Sequence, residues 1–368
     1  MADSVPVSLT IDPFVDDKNA RSFCEDYLSG HYPKFVFGRN EWAVSIAKVV
    51  DVDGFIDDFT DDKEYLWKPV FKTVDVPKNA LVVVVVVGRP FVAEKCLIKH
   101  GIRFLDYFAF KQYSNINLAP IKFWDKFKVD FQTHQVRYER IYNMLHDDES
   151  KRVLHQIINF RLSSDLSYMR GFTDTQYRQY FEDFLELKPE GEVFIDVGGF
   201  DGYTSLEFIK RCPGYAAVHL FEPEQKNMTV ATENLASWPQ IHYYLRGLSN
   251  HSATLRFSAN GSISQINDEG DIEIQVVRFD DVLNKPFTFL KMDIEGGEIP
   301  ALEGMKQAII NHHPRLAISV YHRFDDLWRI PELVLSFRED YQIYLRHYTE
   351  GIDETVMFFI PAKGSNEN

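Results

Sequence analysis

Cysteine is scarce in this 368-residue chain: Cys24, Cys96 and Cys212 lie far apart and are odd in number. Their spacing offers neither a disulfide framework nor a metal-ligand pattern, and it fits a reducing compartment. Basic charge is also short, with 40 Lys and Arg against 55 Asp and Glu and a formal net charge of −15. A chain this acidic repels phosphates, so nucleic acid is not expected as a partner. Long hydrophobic runs are missing: the longest, Ala80–Val87, is far too short to span a bilayer, so no transmembrane segment is expected. The opening MADSVPVSLTIDP has no basic start and no apolar core. No signal peptide is read there, and a cytoplasmic location is expected. Repeats and low-complexity tracts are absent, and the polar tail 363–368 is expected to fray.

What remains is the composition of an ordinary globular protein, long enough for two separate cores. Its 30 Phe and 18 Tyr must mostly be core, and any surplus of Tyr or Trp at a cleft would suit stacking on sugars.

Three regions follow from the hydrophobic pattern. Residues 1–125 alternate strands and helices as a small Rossmann-like α/β domain. YPKFVF, then a helix over 40–48, then a strand over 49–56 open it. The run ALVVVVVV at Ala80–Val87 reads as a central parallel strand buried on both faces. A helix over 91–100 and a strand over 102–108 complete the unit. Residues 126–185 read as a helical connector, including QYRQYFEDFLEL at 176–187 with apolar residues at helical spacing. Residues 186–364 alternate again and give seven main strands, the last pair close together, with a β excursion near 254–278. The fold class expected is therefore α/β, a seven-stranded Rossmann-like domain preceded by a smaller Rossmann-like domain and a connector.

Two motifs carry the chemistry. In the first, the strand Phe194–Val197 runs into Gly198–Gly199–Phe200–Asp201–Gly202 and then a helix. Glycines suit a tight turn and a close backbone approach to a ligand, and the helix start suits a carboxylate. Glu222, 20 residues after Gly202 at the end of HLFEP, is placed to accept both hydroxyls of a ribose. The loop reads D-V-G-G-x-D-G and not the G-x-G-x-x-G of dinucleotide domains. In the second motif, FTFLKMDIEGGEIPALEG, a buried strand ends at Lys291–Met292–Asp293, a glycine turn follows, and Pro300 opens a helix.

Together these elements closely resemble the FkbM methyltransferase family over about residues 190–361. That family pairs a D-x-G-x-x-G loop and an F-E-P strand end with K-x-D-x-E-G-x-E. Gln179–Tyr180 and YHRFDDLWRIPEL fit a subgroup of it. The resemblance implies S-adenosylmethionine as cofactor and O-methylation of hydroxyl groups, commonly on sugars, other glycans or secondary metabolites, including polysaccharide biosynthesis. Asp196, Gly198, Gly199, Asp201, Gly202 and Glu222 are then the cofactor residues, with Asp196 holding the methionine ammonium.

Methyl transfer mainly requires alignment of the acceptor oxygen with the methyl group, and a base helps a weak sugar nucleophile. His322 is the first candidate base, as a neutral imidazole near pH 7, and Asp293 is the second, as base or orienter. Lys291, Glu295, Glu298, Tyr321 and His347 are expected to face the substrate, with Arg346 a weaker candidate. A divalent metal on Asp293, Glu298 and His322 is the less favoured alternative. Against these stand plainer roles: Glu298 complementing a helix dipole, Lys291 snorkelling, His322 as a hydrogen-bonded structural residue.

In the first domain the turn after Phe37 lacks two glycines of a dinucleotide loop. Arg39 could meet a phosphate there, but a scaffold or dimerisation role is favoured. The partners expected are a small-molecule or glycan substrate, and assembly into oligomers is compatible with the sequence. The competing reading is a non-catalytic module that keeps S-adenosylmethionine binding in a glycan or secondary-metabolite pathway. An oxidoreductase is disfavoured by the missing glycines.

Overall fold

The computed structural model describes residues 8–121, 124, 126–258, 265–266 and 272–362. The tail expected to fray lies outside them. The chain divides into two compact units, each made of several segments. The first comprises residues 1–133, 152–176 and 347–354, and the second 134–151, 177–346 and 355–368. The division therefore runs through the stretch read as a single connector.

In the first unit, β1 (Lys34–Phe37), β2 (Gly54–Ile56), β3 (Glu64–Tyr65), β4 (Lys68–Phe71), β5 (Leu81–Val84) and β6 (Arg103–Asp106) form one sheet in the order β3-β4-β2-β1-β5-β6. The β-branched run supplies β5, parallel to β1 and β6 and buried throughout. The hairpin β3–β4 was not read from the sequence, because its strands are short and half-exposed. The strand expected over 102–108 stops at Asp106. Its carboxylate caps the amides of Phe108 and Ala109 and starts the helix Tyr107–Tyr113 there.

The second unit holds β7 (Val193–Val197), β8 (Ala217–Phe221), β9 (Ile241–Tyr244), β10 (Gly247–Leu248), β11 (Ala253–Ser258), β12 (Gln265–Ile266), β13 (Ile272–Val277), β14 (Phe289–Met292), β15 (Arg315–Ser319), β16 (Tyr341–His347) and β17 (Thr355–Pro361). Among the described residues these make a seven-stranded sheet, β16-β17-β15-β14-β7-β8-β9, and a four-stranded one, β10-β13-β11-β12. Strands β15, β14, β7, β8 and β9 run parallel, and β17 pairs antiparallel with β15. The excursion is the antiparallel pair β11–β13. The central strands are buried almost throughout, with Phe194 stacked between Phe208 and Phe289, as expected for parallel strands covered on both faces.

One expected helix is absent. Residues 176–187 form two short 3-10 turns, Gln176–Arg178 and Asp183–Leu185, on either side of Tyr180 at φ +69°. A left-handed residue cannot continue a right-handed helix, so the helical spacing of this segment does not become one.

Candidate active site

Parallel strands deliver their C-terminal ends to one edge, which is where open α/β sheets bind ligands. Four neighbouring ends meet here: β8 with Glu222, β7 with the glycine loop, β14 with Asp293, and β15 with Tyr321 and His322 just beyond it.

The loop after β7 is built into the fold as much as toward a ligand. Gly198 has φ +78°, and a Cβ there would lie 1.9 Å from the Asp293 carbonyl oxygen. A Cβ on Gly199 would meet Leu220 at 2.4 Å. Both glycines are thus demanded by packing against β14 and β8. Gly202, at φ +83°, caps the helix Tyr203–Arg211, and the Asp201 carboxylate accepts the Tyr203 amide at 3.0 Å.

Asp196, expected to hold an ammonium, is fully buried. It accepts the Ser205 hydroxyl at 2.7 Å and faces Lys291 Nζ at 3.3 Å. Lys291 is buried as well and donates to the Gly198 carbonyl at 2.6 Å. The lysine expected at the substrate thus ties Asp196 to the glycine loop. Glu222 accepts the amides of Phe200 at 3.0 Å and Glu224 at 2.9 Å, and burial raises its pKa. A cavity of about 630 Å³ lies at the end of β9, lined by Tyr243, Tyr244, Leu245 and Arg246 with Gln275 and Val282. The Glu222 amide donates to the Tyr244 carbonyl at 3.1 Å, which joins the end of β8 to the end of β9.

The acid–imidazole cluster sits past β14 and β15. His322 Nδ1 bonds Glu298 Oε1 at 2.9 Å, and its Nε2 faces Asp293 Oδ1 at 3.3 Å and Glu295 Oε2 at 3.6 Å. Glu298 is wholly buried, and its Oε1 also accepts the Ile294 amide at 3.0 Å. Its position at a helix start is therefore secondary to its bond with the ring. Tyr321 lies against His322 with ring centroids 4.0 Å apart. Glu295, at φ +55°, is a strained residue in the turn, of the kind that functional sites retain.

Burial alone would lower the His322 pKa, but the carboxylates of Glu298, Asp293 and Glu295 overcome it and raise the value to about 10. The three carboxylates thus favour the protonated ring, whereas the sequence led to the expectation of a neutral base. Asp326, buried nearby, is pushed up to about 8 by burial and by Glu298.

Sequence reasoning missed Tyr180 as a member of the site. Its hydroxyl donates to Asp293 Oδ2 at 2.6 Å and accepts from Gln179 Nε2 at 3.0 Å, and Lys291 Nζ lies over its ring at 5.4 Å. The Gln179–Tyr180 pair carried a family resemblance, which was the available signal.

Two further expected residues have partners of their own. His347, the last residue of β16, is already counted in the first unit, where its buried ring packs on Phe172 at 4.7 Å and burial lowers its pKa to about 3. Arg346 is held by Asp147 at 2.6 Å and Ser150 at 2.9 Å. In the first unit Arg39 is neutralised by Asp57 at 2.8 Å and Asp62 at 2.7 Å. The start of the helix Pro90–His100 carries the Glu350 carboxylate, which accepts the Phe91 amide at 3.0 Å.

Residues 196–349 match the model of the FkbM methyltransferase domain, spanning the glycine loop, Glu222 and the cluster. These residues belong to the FkbM methyltransferase family. The family implies S-adenosylmethionine as methyl donor. The chain is 32% identical over 136 residues to the hexuronic acid methyltransferase AglP of Haloferax volcanii. That match covers 34% of this chain and about half, 54%, of the relative. The crystal structure of methyltransferase FkbM from Methylobacillus flagellatus KT superimposes with a TM-score of 0.75 at 23% identity, covering 94% of each chain. The likeness extends over both units and shows an α/β methyltransferase fold. Among the described residues no helix is long and apolar enough to cross a membrane.

Proposed function

We propose that the protein is an S-adenosylmethionine-dependent O-methyltransferase acting on a hydroxyl of a sugar, free, nucleotide-linked or in a glycan. The observation that carries this reading is the convergence of the glycine loop, Glu222 and the Asp293–Glu298–His322 cluster on the ends of four adjacent parallel strands. The curated hexuronic acid methyltransferase supports a sugar acceptor.

The glycine loop and Asp201 cradle the methionine part of the cofactor, and Glu222 accepts the ribose hydroxyls. The cavity at the end of β9 suits the adenine. Asp196 acts through Lys291 by fixing the loop. Asp293, whose side chain is 21% exposed, receives the proton of the acceptor hydroxyl. His322 Nε2, 3.3 Å from Asp293 Oδ1, orients that carboxylate, and Glu295 and Tyr321 face the sugar. Residues 186–364 are the catalytic domain, and the first unit is its scaffold, located with it in the cytoplasm.

Calorimetric titration with S-adenosylhomocysteine tests the assignment. One saturable site is expected, weakened about 10- to 100-fold by Glu222→Ala, in line with loss of hydrogen bonds to a charged group. Methyl transfer from labelled cofactor to a panel of neutral sugars and uronic acids then tests the substrate class. Failure to bind the cofactor product would sink the reading.

A further inference from the structure

We propose that Asp293, Glu298 and His322 form a site for one divalent cation. The proposal deepens the methyltransferase reading and rests on it for what the ion does. Each of the three offers a ligand atom, and these atoms lie within 4.8 Å of one another. They come from separate elements: the end of β14, the start of the helix Glu298–Gly304, and the segment after β15. Neutral imidazole nitrogen with carboxylate oxygen suits a cation of intermediate hardness such as Mn2+, which on binding takes the place of the ring proton.

A second observation is independent of that spacing. Glu298 is completely buried, yet its Oε2 has no hydrogen-bond partner. A carboxylate oxygen taken out of water without a donor is costly unless a positive charge meets it. The His322 ring meets Oε1 and not Oε2, and the buried cation Lys291 is already engaged by Asp196 and the Gly198 carbonyl.

The surroundings also hold the carboxylates in place. The Tyr180 hydroxyl fixes Asp293 Oδ2, so that Oδ1 faces the ring. The Ile294 amide fixes Glu298 Oε1. Outer partners of this kind orient metal ligands. His322 and Glu298 close the inner side, whereas Asp293 and Glu295 keep 21% and 27% of their side chains exposed, which leaves a face for an acceptor oxygen. A cation there would lower the pKa of a bound sugar hydroxyl.

The test uses the full chain stripped with a chelator and titrated with MnCl2. Calorimetry is expected to show one ion per chain, and pulsed electron paramagnetic resonance to show coupling to one imidazole nitrogen. Asp293→Asn and Glu298→Gln should each weaken Mn2+ about 10- to 100-fold while S-adenosylhomocysteine still binds. Wild-type protein that binds S-adenosylhomocysteine but gives no saturable Mn2+ site, or no nitrogen coupling, overturns the proposal and leaves the methyltransferase reading standing. In that case a proton, not an ion, meets Glu298 Oε2. Mn2+ binding without any S-adenosylhomocysteine binding supports the ion site and removes the methyltransferase reading. The nitrogen coupling is read on wild-type protein, so a variant that fails to fold does not decide the matter.

Discussion

Tyr180 shows how a single side chain can join the two halves of a site. Its ring lies under the Lys291 ammonium that steadies the glycine loop, and its hydroxyl is bonded to the Asp293 carboxylate. The backbone pays with a left-handed conformation, φ +69°, which a tyrosine adopts only when its surroundings demand it. Replacing it with Phe keeps the ring and removes the donor. A hydrogen bond to a charged group is worth about 1.5–3 kcal/mol, so Tyr180→Phe should lower kcat/KM by roughly 10- to 100-fold. Binding of S-adenosylhomocysteine should stay as in the wild type. Steady-state kinetics beside calorimetry would check this, and undiminished turnover would mean that the phenol does not position Asp293. The residue escaped the sequence reading because its neighbours repeat at helical spacing, and a periodic pattern carries no sign of one reversed φ angle. Glu298 and His322 were legible as chemistry from their motifs. Their bond was not, since 24 residues separate them and only the adjacency of β14 and β15 brings them together.

At the level of elements, the junction between β7, its loop and β14 has no slack. Gly198→Ala would drive a methyl group into the Asp293 carbonyl and force a left-handed φ on alanine. Overpacking and backbone strain of this kind each cost about 1–3 kcal/mol. The expected outcome is a fall in thermal midpoint together with weaker S-adenosylhomocysteine binding, measured by calorimetry on the same variant. An unchanged midpoint would show that the loop relaxes away from β14. The strands themselves were readable because buried parallel strands are continuous apolar runs: β5, β7, β8, β14 and β15 lie within a few residues of their expected bounds. Short, half-exposed strands such as β3 and β4 have no such run and were missed. The stop of β6 at Asp106 was missed for another reason, as a capping carboxylate outweighs the apolar residues after it.

At the scale of the molecule, acid sensitivity follows from two buried histidines, one in each unit. Burial lowers His219 to about 4 and His347 to about 3, from an ordinary value of 6.5. Neighbouring His242 adds to the effect on His219, which also shares a 3.0 Å hydrogen bond with the Tyr244 hydroxyl. In both cases the folded protein refuses a proton that the unfolded chain takes up. Their contribution is therefore fully present above pH 6.5 and is lost as pH falls toward the folded values. For each histidine the slope approaches about 1.4 kcal/mol per pH unit once the unfolded ring is protonated. Urea unfolding followed by circular dichroism at a series of pH values below neutrality measures that slope. His219→Gln and His347→Gln should each flatten it by about one proton while lowering stability at pH 7 through lost packing. If neither variant changes the slope, the rings accept protons in the folded state. The acid lability would then have to come from carboxylates held ionised by partners, such as Asp147 beside Arg346 and Glu192 beside Arg315.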